Sequence, residues 1–221
     1  YGTALAFLVA LIFMLYVAGI NKKYIITAVL LVVILVPLAY FFILPEHAKA
    51  RIDVYLNPNL DPRGDGYNII QSKLAIGAGQ IFGMGLFKGN QTQLGYLYPK
   101  TTDFIFAVIS EEMGFVVAGA IIVLYVILIT KSIQVAKTAK DDWGSYIATG
   151  IVGIFFFHML ENIGMTMGLL PITGIPLPFV SYGGSSMLSS LIIFAIINGM
   201  YNMRQDEVDV YEKARKAKKG K

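Results

Sequence analysis

Eighteen consecutive residues, Thr3 to Ile20, carry no charge, and neither do the twenty-one from Tyr24 to Leu44. A helix needs about 20 mostly apolar residues to cross a bilayer, so these runs constrain the fold more than any other feature. Three further blocks read the same way. They are 104–130, which contains Glu111 and Glu112, 146–170, with His158 and Glu161, and the shorter 186–201. Backbone amides in lipid must pair within their own segment, which selects helices, and no alternating strand pattern of barrel type recurs. The expectation is an all-α polytopic membrane protein, with spans at about 3–20, 24–44, 104–130, 146–170 and 186–201. Composition agrees: the chain is 56% hydrophobic and 14% charged, against about 25% charged in ordinary globular domains. There is no cysteine, which excludes disulfides and Cys-ligated metal centres, and two His leave little for any other metal site.

The basic residues set the orientation. Lys22 and Lys23 lie in the first short loop, and Lys131, Lys137 and Lys140 follow the third block. Arg204, Lys213, Arg215, Lys216, Lys218, Lys219 and Lys221 lie in the tail. Alternation puts all three segments on one side, which the positive-inside rule makes cytoplasmic. Residues 1–203 then form a membrane domain, and 204–221 a basic cytoplasmic tail that touches anionic lipid. Tyr1, the 45–103 loop and the 171–185 loop face outward. Opening at Tyr1 with no charged leading region argues against a signal peptide, and the odd span count leads us to expect further helices upstream.

The outer loop 45–103 is the informative part. Its LNPNLDPRGDGY run, 56–67, is dense in turn residues. Asp53, Asp61 and Asp65 read as turn residues. The following NIIQSKLAIGAGQIFGMGLF places Ile69, Ile70 and Leu74 at helical spacing before five glycines, Gly77, Gly79, Gly83, Gly85 and Gly89. This predicts an interfacial or re-entrant helix and a Gly-rich turn against the bundle. It is no Walker A loop, because the GK[ST] ending is absent. Next comes a polar cluster, Gln91, Thr92, Gln93, Lys100, Thr101, Thr102 and Asp103. Its amides and hydroxyls suit a sugar and its Lys a phosphate. Asp103 stands at the start of the third block, where a carboxylate serves either as helix cap or as a reacting group.

Glu111 and Glu112 follow about 12–13 Å deeper at helical rise. Glu161 lies at a matching depth, so it is expected to approach them across the bundle, with His158 on its own face. Ionisable groups at such depth mark function, or else hydrogen-bond between helices. Ser181, Tyr182, Ser185 and Ser186, in the last outer loop among Pro171, Pro176, Pro178, Gly183 and Gly184, read either as a sugar or phosphate site or as a plain turn.

The runs RGDGYNIIQSKLAIGAGQIFGMGLF, QTQLGYLYPKTTDFIFAVISEEMGF and NIGMTMGLLPITGIPLPFVSYGGSS closely resemble the SEDS family (shape, elongation, division and sporulation). GYNIIQSKLAIG, QTQL and ITGIPLPF resemble its RodA branch more than its FtsW branch. The resemblance covers nearly the whole chain and matches the C-terminal half of a ten-span protein. It implies an inverting glycosyltransferase that polymerises lipid II into glycan strands at the outer face of the bacterial cytoplasmic membrane, for cell elongation and shape. It also implies a class B penicillin-binding protein as partner, alongside lipid II, the nascent strand and the bilayer, and no nucleic acid. The family's essential aspartate, in TDFIFA, carries over to Asp103 as general base. One departure is local: Tyr98, Pro99, Lys100 and Thr101 stand where the family often has Pro-Glu and a His or Arg. A diphosphate leaving group calls for cations, supplied by Lys100, Lys88, Lys73 or Arg63, or by a bound divalent metal. Two other classes compete: a flippase or transporter using the buried glutamates, and a scaffold that recruits a cell-wall synthase.

Overall fold

The computed structural model describes residues 2–42, 45–61 and 64–219, which leaves Arg63 outside the described residues. The described residues contain helices and turns and no strand. All five apolar blocks are helical: α1 (Gly2–Val17), α2 (Lys22–Phe42), α6 (Ile105–Lys137), α7 (Asp142–Thr166) and α8 (Gly184–Lys219). Among the described residues α6, α7 and the Gly184–Met203 part of α8 are long and apolar enough to cross a membrane, and Gly2–Val17 is apolar but shorter. The backbone of α8 runs unbroken from that stretch into the basic tail.

The outer loop is itself largely helical: α3 (Glu46–Leu56), a single 3-10 turn at Pro58–Leu60, α4 (Asp65–Ala78) and the one-turn α5 (Asn90–Gln93). Asp61 is a turn residue as expected, its Oδ1 accepting from the Gly64 amide at 2.9 Å. Asp53 instead lies inside α3 and accepts a hydrogen bond from Tyr40. Asp65 is the first residue of α4.

α7 is the hub, with α1, α4 and α6 packed around it. Small residues let α1 come close: a Cβ on Gly153 would stand 2.7 Å from the Ala10 Cα, the small-residue packing typical of helix pairs in lipid. α7 starts at Asp141, whose Oδ1 accepts from the Gly144 amide at 2.9 Å. It ends in a Schellman turn. Gly168, at φ +67, sends its N–H to Met165 O, and Leu169 N–H reaches Gly164 O at 2.8 Å. At the outer end, Val54, Ile69, Ala75, Leu97, Phe104, Ala107, Met165 and Ile172 form one core that fixes the loop helices to α6 and α7. Much of α8 and of the inner half of α6 is apolar and exposed.

Candidate functional site

α6 is broken. Gly114 has φ +77 and ψ −175 inside an otherwise helical run, a conformation open essentially to glycine. The opened backbone is satisfied by the Gly-rich turn. Met84 N–H donates to Glu111 O and Gly85 N–H to Glu112 O, each at 2.9 Å, while Phe115 and Val116 donate to Gln80 O and Ile81 O. The approach requires glycine, since a Cβ on Gly79 would lie 1.7 Å from Ser110 O. The outer loop therefore dips to the level of the second turn of α6.

That descent decides what the two glutamates do. Glu111 Oε1 accepts from the Gln91 amide at 2.7 Å, and Oε2 from the Thr92 amide at 3.0 Å and the Thr92 hydroxyl. Glu112 accepts from the Phe87 amide at 3.1 Å and from Gln93 Nε2 at 2.9 Å. Both carboxylates are buried, and both serve the loop beside them. Glu161 Oε1 accepts from the Thr173 hydroxyl at 2.8 Å, so its hydrogen-bond partner lies in a different loop from those of Glu111 and Glu112.

On α7, His158, Glu161 and Asn162 share a face at i, i+3 and i+4, and all three hold the last outer loop. His158 Nδ1 lies 3.3 Å from Pro176 O. Asn162, fully buried, donates from Nδ2 to Ile175 O at 2.8 Å and to the Asp103 carbonyl at 3.0 Å. Ser181 Oγ donates to Thr102 O at 2.7 Å and accepts from Leu177 N–H at 2.8 Å, and Tyr182 N–H donates to Thr101 O at 2.9 Å. The carbonyls of Thr101 and Thr102 are thus tied to the 171–182 loop, and that of Asp103 to α7 through Asn162.

Asp103 sits in this frame with a carboxylate whose hydrogen bond comes from its own neighbour, Thr102. It does not cap α6: the N-cap position is Phe104, and no side-chain cap bond is made. Among the described residues no cation pairs with it. Gly174, at φ +71, brings backbone so near that a Cβ there would stand 3.5 Å from Asp103 Oδ2. Half-burial pushes the carboxyl above the usual aspartate range, opposed by a hydrogen bond from Thr102. A half-buried carboxylate with a raised pKa, and with no cation beside it among the described residues, is chemically fit to take a proton.

The other candidates divide. Lys100 Nζ donates to Thr92 O at 3.0 Å, which ties it to the Glu111 turn. Gln91 and Thr102 are half-buried, and Gln93 is exposed on the same loop. Lys73 is exposed and lies against Gly168 at the outer end of α7, where a Cβ would meet its Nζ at 2.5 Å. Lys88 is exposed beside Gly85. Ser181 is buried and fully hydrogen-bonded, a loop fastener by its contacts. Tyr182 is 78% exposed, and Ser185 is exposed in the first turn of α8. No group of three or more His, Asp or Glu able to hold a metal occurs among the described residues. Sequence reasoning missed Asn162, Gly114 and Gly174. For Asn162 the available signal was its place four residues after His158.

A family model described as cell cycle protein, covering FtsW, RodA and SpoVE, matches residues 1–205. The chain is 39% identical over 204 residues to peptidoglycan glycosyltransferase MrdB of Escherichia coli (strain K12), covering 92% of this chain and 55% of that protein. It is 46% identical over 147 residues to stage V sporulation protein E of Bacillus subtilis (strain 168), covering 66% and 40%. In structure it matches, with a TM-score of 0.76 and 25% identity, a chain from work on how a peptidoglycan synthase complex coordinates polymerisation and crosslinking, covering 91% of this chain and 55% of that one. The chain thus spans about half the length of the relatives it matches.

Proposed function

The chain belongs to the FtsW, RodA and SpoVE family, and from that premise we propose that the full-length protein polymerises lipid II into glycan strands. Asp103 acts as general base at the outer face of the bacterial cytoplasmic membrane. It takes the proton of the acceptor sugar hydroxyl as that oxygen bonds to the anomeric carbon of the donor. The bond from that carbon to undecaprenyl diphosphate breaks with inversion, and the charge leaves on the diphosphate. Lys100 answers that charge, with Lys88 and Lys73 as further candidate cations, and Arg63 as a candidate from the sequence alone. Tyr182 and Ser185, exposed on the loop that faces Asp103, and the amides Gln91 and Gln93 offer hydrogen bonds to sugar. A class B penicillin-binding protein cross-links the product.

The observation that carries this reading is the Asp103 carboxylate, half-buried, with no cation paired to it among the described residues and free of any capping duty, in the family's signature run. The transporter reading has no comparable support, since Glu111, Glu112 and Glu161 are each occupied by loop donors. The test is lipid II polymerisation by purified full-length Asp103→Asn protein. Turnover should fall roughly 10²–10⁴-fold, the usual contribution of acid–base catalysis, with folding intact. Near wild-type turnover would remove Asp103 from the mechanism.

Proton dependence sharpens this. Because half-burial raises the carboxyl pKa in the folded protein, the base is lost at a higher pH than an ordinary aspartate would allow, and the acid limb of turnover should lie above the usual aspartate range. For stability the sign is opposite to the usual carboxylate case. The favourable contribution is present at low pH and fades as pH rises through the raised pKa. Asp103→Asn should therefore leave stability at neutral pH unchanged or slightly higher. Orientation is tested separately on the chain's lack of Cys. A single Cys at Asn90 should react with an impermeant maleimide from outside, and one at Lys137 should not.

A further inference from the structure

Glu111 is fully buried, and its three accepted hydrogen bonds all go to one turn, at Gln91 and Thr92. The chain is shaped around this carboxylate: a Cβ on Gly89 would lie 2.6 Å from its Oε2. Glu111 grips Thr92 by its amide and hydroxyl. The one remaining backbone group of Thr92, its carbonyl, accepts from Lys100 Nζ at 3.0 Å. One residue thus links a buried anion to the cation three positions before Asp103. Below, the first segment of α6 is locked by the Gly-rich turn inserted at Gly114, so Glu111 cannot shift without moving the segment that follows Asp103. A buried carboxylate is a costly anchor when nothing uses its rigidity. Here it fixes where an ammonium stands.

We infer that Glu111 is a positioning residue for sugar transfer, setting the Lys100 ammonium through Thr92. This rests on the function proposed above, and it adds a role to a carboxylate that touches no substrate. Misplacing a reacting-site group by an ångström can cost about 10²-fold, so Glu111→Ala is expected to lower kcat roughly 10- to 10²-fold with a smaller change in KM.

The discriminating measurement is a double-mutant cycle in lipid II polymerisation by the full-length protein, with Lys100→Met and Glu111→Ala. If Glu111 acts through Lys100, its substitution should cost little once Lys100 is gone. Thr92→Val, which removes only the hydroxyl, should show a smaller loss that also vanishes in the Lys100→Met background. Glu111→Gln keeps the shape and one acceptor oxygen, and serves if the alanine variant does not fold. Its loss, too, should disappear without Lys100. Fully additive effects would overturn the inference, and so would a Lys100→Met protein with normal turnover. The parent reading fails differently, through an active Asp103→Asn enzyme.

Discussion

Two loops cover the end of this bundle where Asp103 lies, and they are held by different chemistry. The 87–93 segment is held by anions: Glu111 and Glu112 accept from the amides of Phe87, Gln91 and Thr92. The 171–182 loop is held mostly by neutral donors: Asn162 and Ser181 reach the carbonyls of Asp103, Ile175 and Thr102. The first anchor satisfies amides left spare by a tight turn, and the second satisfies carbonyls of the proline-rich loop, at Ile175, and of the segment before α6, at Thr102 and Asp103. Pro171, Pro176 and Pro178 have no N–H to offer a carboxylate, so an amide and a hydroxyl are the suitable partners there. Asp103 lies between the two anchors and belongs to neither. Its backbone carbonyl is held by Asn162, while its half-buried carboxylate accepts from its own neighbour Thr102. A carboxylate that fastens neither loop, beside three that do, Glu111, Glu112 and Glu161, is the difference on which the functional assignment turns.

The largest effect on this arrangement should come from Gly114→Ala. The added Cβ would stand 2.3 Å from Gly83 N and 2.5 Å from Ile81 O, at φ +77. Strain of this kind costs about 1–3 kcal/mol before the clash is counted, and release of the inserted turn would carry the Glu111 anchor with it. Thermal unfolding of the detergent-purified protein, with limited proteolysis at 79–89, reads it. A fully stable Gly114→Ala protein would mean that the helix break does not depend on the turn.

Asn162→Leu should come next. It leaves the buried carbonyl of Ile175 without a donor, at about 1–3 kcal/mol, and removes the donor of the part-buried Asp103 carbonyl at a smaller cost. Glu161→Gln, which keeps an acceptor for Thr173, should cost far less. Lost turnover in Asn162→Leu with a normal Glu111 loop, read by protection of 87–93 from proteolysis, would establish that the two anchors are independent. Coupled loss of both loops would show one cooperative cap instead of two.

The helices were legible because length and apolarity in lipid leave few alternatives. Asp103 was legible as a special residue from its run and its place at a block edge. What the sequence hid was pairing at long range. Gly114 sits in an apolar helical run where a glycine is ordinarily tolerated, and only the distant Gln80–Gly85 segment makes it a break. Glu111 and Glu112 read as buried charges of matching depth to Glu161, yet their partners are set by how far the Gly-rich turn descends, which no local spacing encodes. Asn162 has partners 13 and 59 residues away. Helix α3 carries Glu, His, Lys, Arg and Asp within EHAKARIDVYL, and it has too weak an apolar stripe to stand out from loop.

The smallest expected effect lies at the opposite end of the same helix that carries Asn162. Asp141 caps α7 through a single bond to the Gly144 amide, in an exposed turn on the side away from Asp103. Asp141→Ala should cost about 1 kcal/mol, and Asp141→Asn only a few tenths, because either Asp or Asn can supply the acceptor oxygen. Turnover should be unchanged in both, since α7 is fixed along its length by the close packing of α1 at Gly150 and Gly153 and does not shift when one end frays. The pair of measurements is therefore a control on the outer anchors. If Asp141→Ala lowered polymerisation as much as Asn162→Leu, the axial placement of α7 would be the sensitive quantity. The contrast between two chemically distinct outer anchors would then lose its meaning. If it lowers stability alone, the effect of Asn162 belongs to the carbonyls it holds.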